Sequence, residues 1–329
     1  MVDLKTNSTS IATTDSETDR RRSVLLGFAA LTVIILAMFM FALTAPGKAR
    51  PTNQTASVAT AAPDLFADVS IEGRAAIVVD IHSGKVLYEK NANAQLPIAS
   101  LTKVALALAV SEVLPSNSIV TIPYDATGAG SIELLREGES WSVEDVIDFT
   151  LMESSNAGAD ILAAFADSAI HARFPNSPES GATLWRMNNL AQDLGLTGTY
   201  FLNVSGLDIS TTQAGAYGLA RDMAALFAYA AAADPSLFAG TARANMRLTS
   251  QNGEQVASAL NTNSAQGEIA GLILGKTGIT DLAGGNLAVV FDVGFAHPVV
   301  AVVLGSSRDG RFTDIENLVS RARATVANQ

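Results

Sequence analysis

The sequence contains no cysteine. That leaves no disulfide framework, no thiolate nucleophile and no cysteine-ligated metal centre. Histidine is nearly as scarce, with only His82, His171 and His297. His82 falls in a turn and His297 precedes a proline, so all three read as ordinary surface or loop residues, not as a catalytic base. Basic residues number 21 against 32 acidic ones, a net charge of −11. With no basic patch or aromatic ladder to offset that charge, nucleic acid is not an expected partner. No internal repeat is seen, and nothing in the pattern asks for a metal or a cofactor.

What is present starts with apolar residues, 48% of a 329-residue chain, enough for a substantial core. Residues 1–22 are rich in Ser, Thr and Asp, end in Asp19-Arg20-Arg21-Arg22, and read as a disordered cytoplasmic tail. The uncharged stretch 23–45 is long enough to cross a bilayer core of ~30 Å as a helix. The arginine triplet precedes it, so the positive-inside rule puts the remainder on the extracytoplasmic side, although Lys48 and Arg50 weaken the asymmetry. A cleaved signal peptide is the rival reading; the apolar run is longer than such peptides use. Residues 46–66 are a linker of Ala, Thr, Pro, Gln and Ser. One folded domain then occupies 67–329.

That domain begins with a β-branched strand, Arg74 to Asp80, a turn at His82-Ser83-Gly84-Lys85 and a return strand Val86 to Lys90. An Ala/Leu/Val helix follows from Ser100 to about Val113. Short strands at Ile119–Ile122 and Gly138–Ser140 precede a helix capped at Ser142. This helix stops at Glu153-Ser154-Ser155-Asn156, and another runs from Ala157 to Ala169. Further helices span Thr183–Leu194, ended by Gly195, and Tyr217–Ala233. Residues 200–208 read as loop. Three late strands cover Leu272–Gly278, Asn286–Phe291 and Val299–Leu304, and a helix from Phe312 to about Val326 closes the chain. The expected fold class is α/β (α+β): an antiparallel sheet built from N- and C-terminal strands, flanked by the helical middle.

Three short motifs carry chemistry. Ser100 and Lys103 share one face at the start of a helix. A serine hydroxyl is a poor nucleophile until a base takes its proton, and lysine does so only if burial or a second cation lowers its pKa. The bland alternative is a serine cap and a solvated lysine. Ser154 and Asn156 lie between two helices, where a hydroxyl relays a proton and an amide holds a peptide group; helix capping explains them equally well. Lys276, Thr277 and Gly278 end a strand and offer positive charge, a hydroxyl donor and close backbone approach, a set suited to a substrate carboxylate. The alternative there is an edge-strand lysine before a turn. All three motifs in this order make a joint coincidence improbable.

With these motifs the sequence resembles the serine-type D-alanyl-D-alanine carboxypeptidases, the low-molecular-mass penicillin-binding proteins. The likeness extends to Gly84–Ala92 with Pro97–Lys103, to Met187–Asp208, to Ala220–Ala224 and to Gly275–Thr280, and covers roughly residues 70–325. It implies a β-lactamase/transpeptidase-like fold. It implies that Ser100 attacks the D-Ala-D-Ala bond of a peptidoglycan stem peptide, with Lys103 as base and Ser154 in proton relay. Asn156, Lys276 and Thr277 would hold substrate beside Gly278, and the N–H groups of Ser100 and Ile279 would form the oxyanion hole. Arg308 or Arg311 is a further candidate for the carboxylate. β-Lactams would acylate the same serine, and the lipid bilayer is a partner through residues 23–45. Ala157 departs from the aspartate that many relatives carry after the asparagine. The competing readings are a D,D-endopeptidase on the same frame, a β-lactamase and a non-catalytic wall-binding protein. A β-lactamase would need a Glu-x-x-x-Asn pair, and Thr183 stands where the asparagine after Glu179 would be.

Overall fold

Three runs of β-branched and apolar residues form the middle of the main sheet: β1 (Ala75–Asp80), β11 (Gly284–Asp292) and β12 (Pro298–Ser306). Continuous apolar runs suit strands covered on both faces, and that is how these are placed. Ile77, Ala288, Val290, Val300 and Val302 point into one core. Their alternates Ala76, Val78, Val289, Phe291, Val299 and Ala301 point into a second core. β2 (Val86–Lys90) and β10 (Leu272–Thr280) complete an antiparallel sheet of order β10-β11-β12-β1-β2. Strands from the two ends of the sequence therefore share one sheet, as the sequence leads one to expect.

This computed structural model describes residues 65–123, 135–251, 256–294 and 296–327. All of them belong to one unit, residues 63–329. The expected tail, membrane span 23–45 and most of the linker lie outside the described residues. Among the described residues, no helix is long and apolar enough to cross a membrane.

The chain leaves β2, forms the short β3 (Leu96–Pro97) and a 3-10 turn at Ala99–Leu101, and enters α1 (Thr102–Ser111). β4 (Ile119–Thr121) pairs with β5 (Ser140–Ser142), and α2 (Val143–Met152) follows. The Ser142 hydroxyl caps α2 by accepting from Asp145 N at 3.0 Å, as the sequence suggests. Next come α3 (Asn156–Arg173), α4 (Ala182–Asp193), β6 (Tyr200–Phe201), β7 (Ala216–Gly218) and α5 (Ala220–Ala233). β8 (Asn245–Thr249) and β9 (Val256–Leu260) form a separate antiparallel pair before the last three strands. α6 (Gly310–Ala327) closes the chain and packs on β11 and β12. Ile315, Leu318, Val319 and Ala322 of α6 fill the second core.

Three features differ from the sequence reading. β3, β7 and β6 form a small sheet, so the segment at 200–208 is not all loop. α5 starts at Ala220 instead of Tyr217, because Ala216–Gly218 pair as a strand. The β8–β9 pair is new. His171 lies within α3, and its Nδ1 is 3.0 Å from the Ser177 carbonyl.

One carboxyl in the helical half is held out of its ordinary range. Burial, then repulsion from Glu144 and Asp145, pushes Asp148 up to about 7, against a smaller opposing pull from Arg243. A carboxyl raised in the folded state favours folding at low pH, and that contribution is lost as pH rises from about 4 through about 7. Asp148→Asn should therefore raise the melting temperature by several degrees at pH 8 and change it little at pH 4, as thermal denaturation would record. An equal shift at both pH values would contradict this reading.

Candidate active site

The 3-10 turn at Ala99–Leu101 presents Ser100 at the base of a cleft of about 400 Å³. Ser154, Asn156, Thr277 and Ile279 also line it, together with Glu153, Thr262, Arg308 and Arg311. The three motifs, far apart in the sequence, thus meet in one place.

Lys103 lies one helical turn beyond Ser100 and is completely buried. Its Nζ is 2.8 Å from Ser100 Oγ, 2.8 Å from Asn156 Oδ1 and 2.7 Å from the Ser205 carbonyl. The carbonyl and the amide oxygen only accept, whereas a hydroxyl both donates and accepts. A neutral lysine therefore spends its two N–H bonds on Ser205 and Asn156. Its lone pair is left facing the Ser100 hydroxyl, which is the orientation a base requires. Burial lowers the Lys103 pKa to about 7, against an opposing pull from Asp160 one turn along α3.

Lys276, on β10, is equally buried. Burial, then the neighbouring charges of Lys103 and Arg311, depress its pKa well below the usual lysine value. Its Nζ donates to Ser154 Oγ at 2.8 Å and to the Thr277 carbonyl at 2.9 Å. The Thr277 hydroxyl is 2.6 Å from that of Thr262. Arg311 donates to the Gly278 carbonyl at 2.9 Å, while its buried Nε has no hydrogen-bond partner among the described residues.

Local backbone features hold these groups in place. Ser154 has φ of +59° and Ala99 +48°, two non-glycine residues in the left-handed region, both beside the cleft. Ser155, not Ser154 or Asn156, caps α3 by accepting from Gly158 N at 3.0 Å. The helix start is therefore satisfied while Ser154 and Asn156 face the cleft. Gly278 lets β10 run against the nucleophile turn: a Cβ there would lie 2.9 Å from the Ile98 carbonyl and 3.1 Å from Ser100 N. Asn286, fully buried, donates to the Pro97 carbonyl at 3.1 Å and accepts from Gly305 N at 2.7 Å, which ties the approach to Ser100 to the main sheet.

All eight site residues expected from the sequence lie at or beside the cleft. Ser205, Thr262, Glu153 and Asp160 were not foreseeable as a set. Ser205 acts through its carbonyl, which any residue type would supply. Thr262 and Asp160 belong to no motif, though Asp160 follows Asn156 by four residues on one helix face. Glu153 immediately precedes Ser154, and its carboxylate accepts from Leu260 N.

A family model described as Peptidase_S11, D-alanyl-D-alanine carboxypeptidase, matches residues 57–308. D-alanyl-D-alanine carboxypeptidase DacC of Escherichia coli is 32% identical over 281 residues, 80% of this chain and 64% of that protein. A D-alanyl-D-alanine endopeptidase of Pseudomonas aeruginosa is 31% identical over 137 residues, 41% of each. The ampicillin-bound crystal structure of penicillin-binding protein D2 from Listeria monocytogenes matches with a TM-score of 0.65 and 28% identity, covering 77% of this chain and 98% of that one. The chain thus spans a little under two thirds of the length of the Escherichia coli relative.

Proposed function

The chain belongs to the Peptidase S11 family of D-alanyl-D-alanine carboxypeptidases, and on that premise we propose that it removes the terminal D-alanine from peptidoglycan stem peptides through an acyl-enzyme on Ser100. The observation that carries this is the contact between a buried Lys103, with a pKa of about 7, and the Ser100 hydroxyl 2.8 Å away.

In this reading Lys103 takes the Ser100 proton as Oγ attacks the carbonyl carbon of the penultimate D-alanine. The oxyanion is held by the N–H groups of Ser100 and Ile279, on two backbone segments that Gly278 allows to touch. Lys276, Thr277 and Arg311 receive the terminal carboxylate, and the Nδ2 of Asn156 holds the substrate amide. Ser154, oriented by Lys276, passes the proton to the departing amine. D-Alanine leaves, and water cleaves the ester with Lys103 again as base, which restores the free Ser100. A β-lactam would acylate the same oxygen, as befits the relative whose structure holds ampicillin. Residues 23–45 would anchor this domain to the lipid bilayer on the extracytoplasmic side, beside its substrate.

The test is to give the purified chain a pentapeptide ending in D-Ala-D-Ala and, separately, a cross-linked muropeptide dimer. Free D-alanine from the first, with the dimer intact, is the expected result. Dimer cleavage with the pentapeptide untouched would assign the endopeptidase activity instead, in line with the endopeptidase relative.

A further inference from the structure

The outer face of the small sheet carries a row of rings. Pro97, Tyr217 and Tyr200 are direct cross-strand neighbours, so their side chains share one face. Their chain neighbours Leu96, Ala216 and Phe201 are buried on the other face. The Tyr200 and Tyr217 rings stack with centroids 5.3 Å apart and planes at 27°. Tyr200 is nonetheless 39% exposed and Leu202, two residues on, 37%. Leu207 and Ile209 continue this run at 45% and 50%. Four large apolar side chains are thus left open between residues 200 and 209.

The chain segments that carry these side chains run into the cleft. β3 leads into Ser100 within three residues, and residues 202–215, which join β6 to β7, carry Leu207 into the cleft wall. This connection is fixed at several points. The Ser205 carbonyl accepts from Lys103, and Asn203 brackets the turn by accepting from Gly206 N and donating to the Leu207 carbonyl. Asp208 accepts from the Thr280 hydroxyl and Leu282 N. Ledge and nucleophile therefore hold a set relation to each other.

We propose that this ledge, formed by Tyr200 with Tyr217, Leu202 and Pro97, is a second binding site that takes a neutral pyranose ring of the glycan strand bearing the stem peptide. The choice of ligand rests on the proposed function. Three peptide steps of 3.8 Å and two strand spacings of about 4.8 Å put Tyr200 within roughly 20 Å of Ser100. A stem of four residues spans roughly 14 Å before its sugar begins. The two lengths are of the same order, so a substrate seated in the cleft would present its glycan in the neighbourhood of the ledge. An N-acetylhexosamine ring offers an apolar C–H face to an aromatic ring, whose own face is electron-rich, and hydroxyl and amide groups at its rim. The Tyr200 hydroxyl has no protein partner among the described residues and is available to that rim. No charged side chain belongs to the row, so it matches a neutral sugar and offers nothing to an anionic lipid headgroup.

The test uses glycan strands stripped of peptide by amidase digestion, titrated calorimetrically into the full chain in detergent. Wild type should bind them, Tyr200→Phe, which keeps the ring and loses only the hydroxyl contact, should bind slightly more weakly, and Tyr200→Ala should bind roughly five- to tenfold more weakly. A fluorescent penicillin should label all three proteins at the same rate. No binding by wild type, or equal affinity for Tyr200→Ala, would overturn the proposal. So would Tyr200-dependent adsorption to phosphatidylglycerol vesicles without glycan binding, which would make the ledge a lipid contact. Glycan binding by a protein that penicillin does not label would leave the ledge standing and remove the proposed activity.

Discussion

Lys103→Met should slow acylation by penicillin roughly a thousandfold or more, while the protein stays folded. Methionine fills most of the lysine volume and removes an ammonium that burial already disfavours. It also removes the only base in contact with Ser100 Oγ among the described residues. The Asn156 and Ser205 oxygens lose their shared donor, so a modest fall in melting temperature is expected alongside the kinetic loss. The wild-type rate has a characteristic pH dependence. Lys103 works when neutral, and burial has brought its pKa to about 7. Acylation should therefore rise with pH through about 7 and level off above it, and the residual rate of Lys103→Met should lack that step. Stopped-flow acylation across pH 5 to 9 separates the outcomes. A flat wild-type profile, or a Lys103→Met rate within tenfold of wild type, would mean that another group takes the proton.

The second large effect concerns Gly206. It has φ of +79°, and a Cβ there would lie 2.0 Å from the Ala99 carbonyl oxygen and 2.7 Å from Thr102 Oγ1. The obstacle is backbone, directly before the nucleophile, so it cannot rotate away. Gly206→Ala should cost on the order of 2–4 kcal/mol of stability, combining left-handed strain with overpacking. It should also displace the adjoining Ser205 carbonyl from Lys103 and lower the acylation rate at least tenfold. Gly195 is the matched control. Its φ is +70°, yet nothing lies within 4 Å of its would-be Cβ. Gly195→Ala should show the strain alone, about 1 kcal/mol, with acylation unchanged. Urea denaturation of both variants measures the difference, and equal losses would show that crowding at Ala99 is unimportant.

Much of this molecule was legible from local chemistry. The β-branched runs gave the central strands because burial on both faces needs apolar residues at every position. Ser142 announced α2, since a serine three residues before an acidic side chain satisfies the orphan N–H groups of a helix start. Ser100, Lys103 and Ser154 were readable because their side chains are of the types that the proposed chemistry needs. Other parts had no such signal. The strands at Leu96–Pro97 and Tyr200–Phe201 are two residues long and exist only through pairing with Ala216–Gly218. The same pairing delays α5 to Ala220. The position of α6 on the face opposite the helical middle is a tertiary choice that periodicity does not encode. The β8–β9 pair did have a cue: Asn252-Gly253, a favoured hairpin turn, lies between two stretches of alternating character. Asn156 shows a subtler limit. Its position was clear from the motif, but the use of its amide Oδ1 as an acceptor for Lys103 depends on geometry.

The central claim is that Ser100 is the residue acylated in this cleft. Intact-mass measurement after incubation with penicillin G, followed by peptide mapping, tests it directly. The expected result is one added penicilloyl group per chain, located on Ser100 and absent from Ser100→Ala. An unmodified wild-type chain, or an adduct on any other residue, would contradict it.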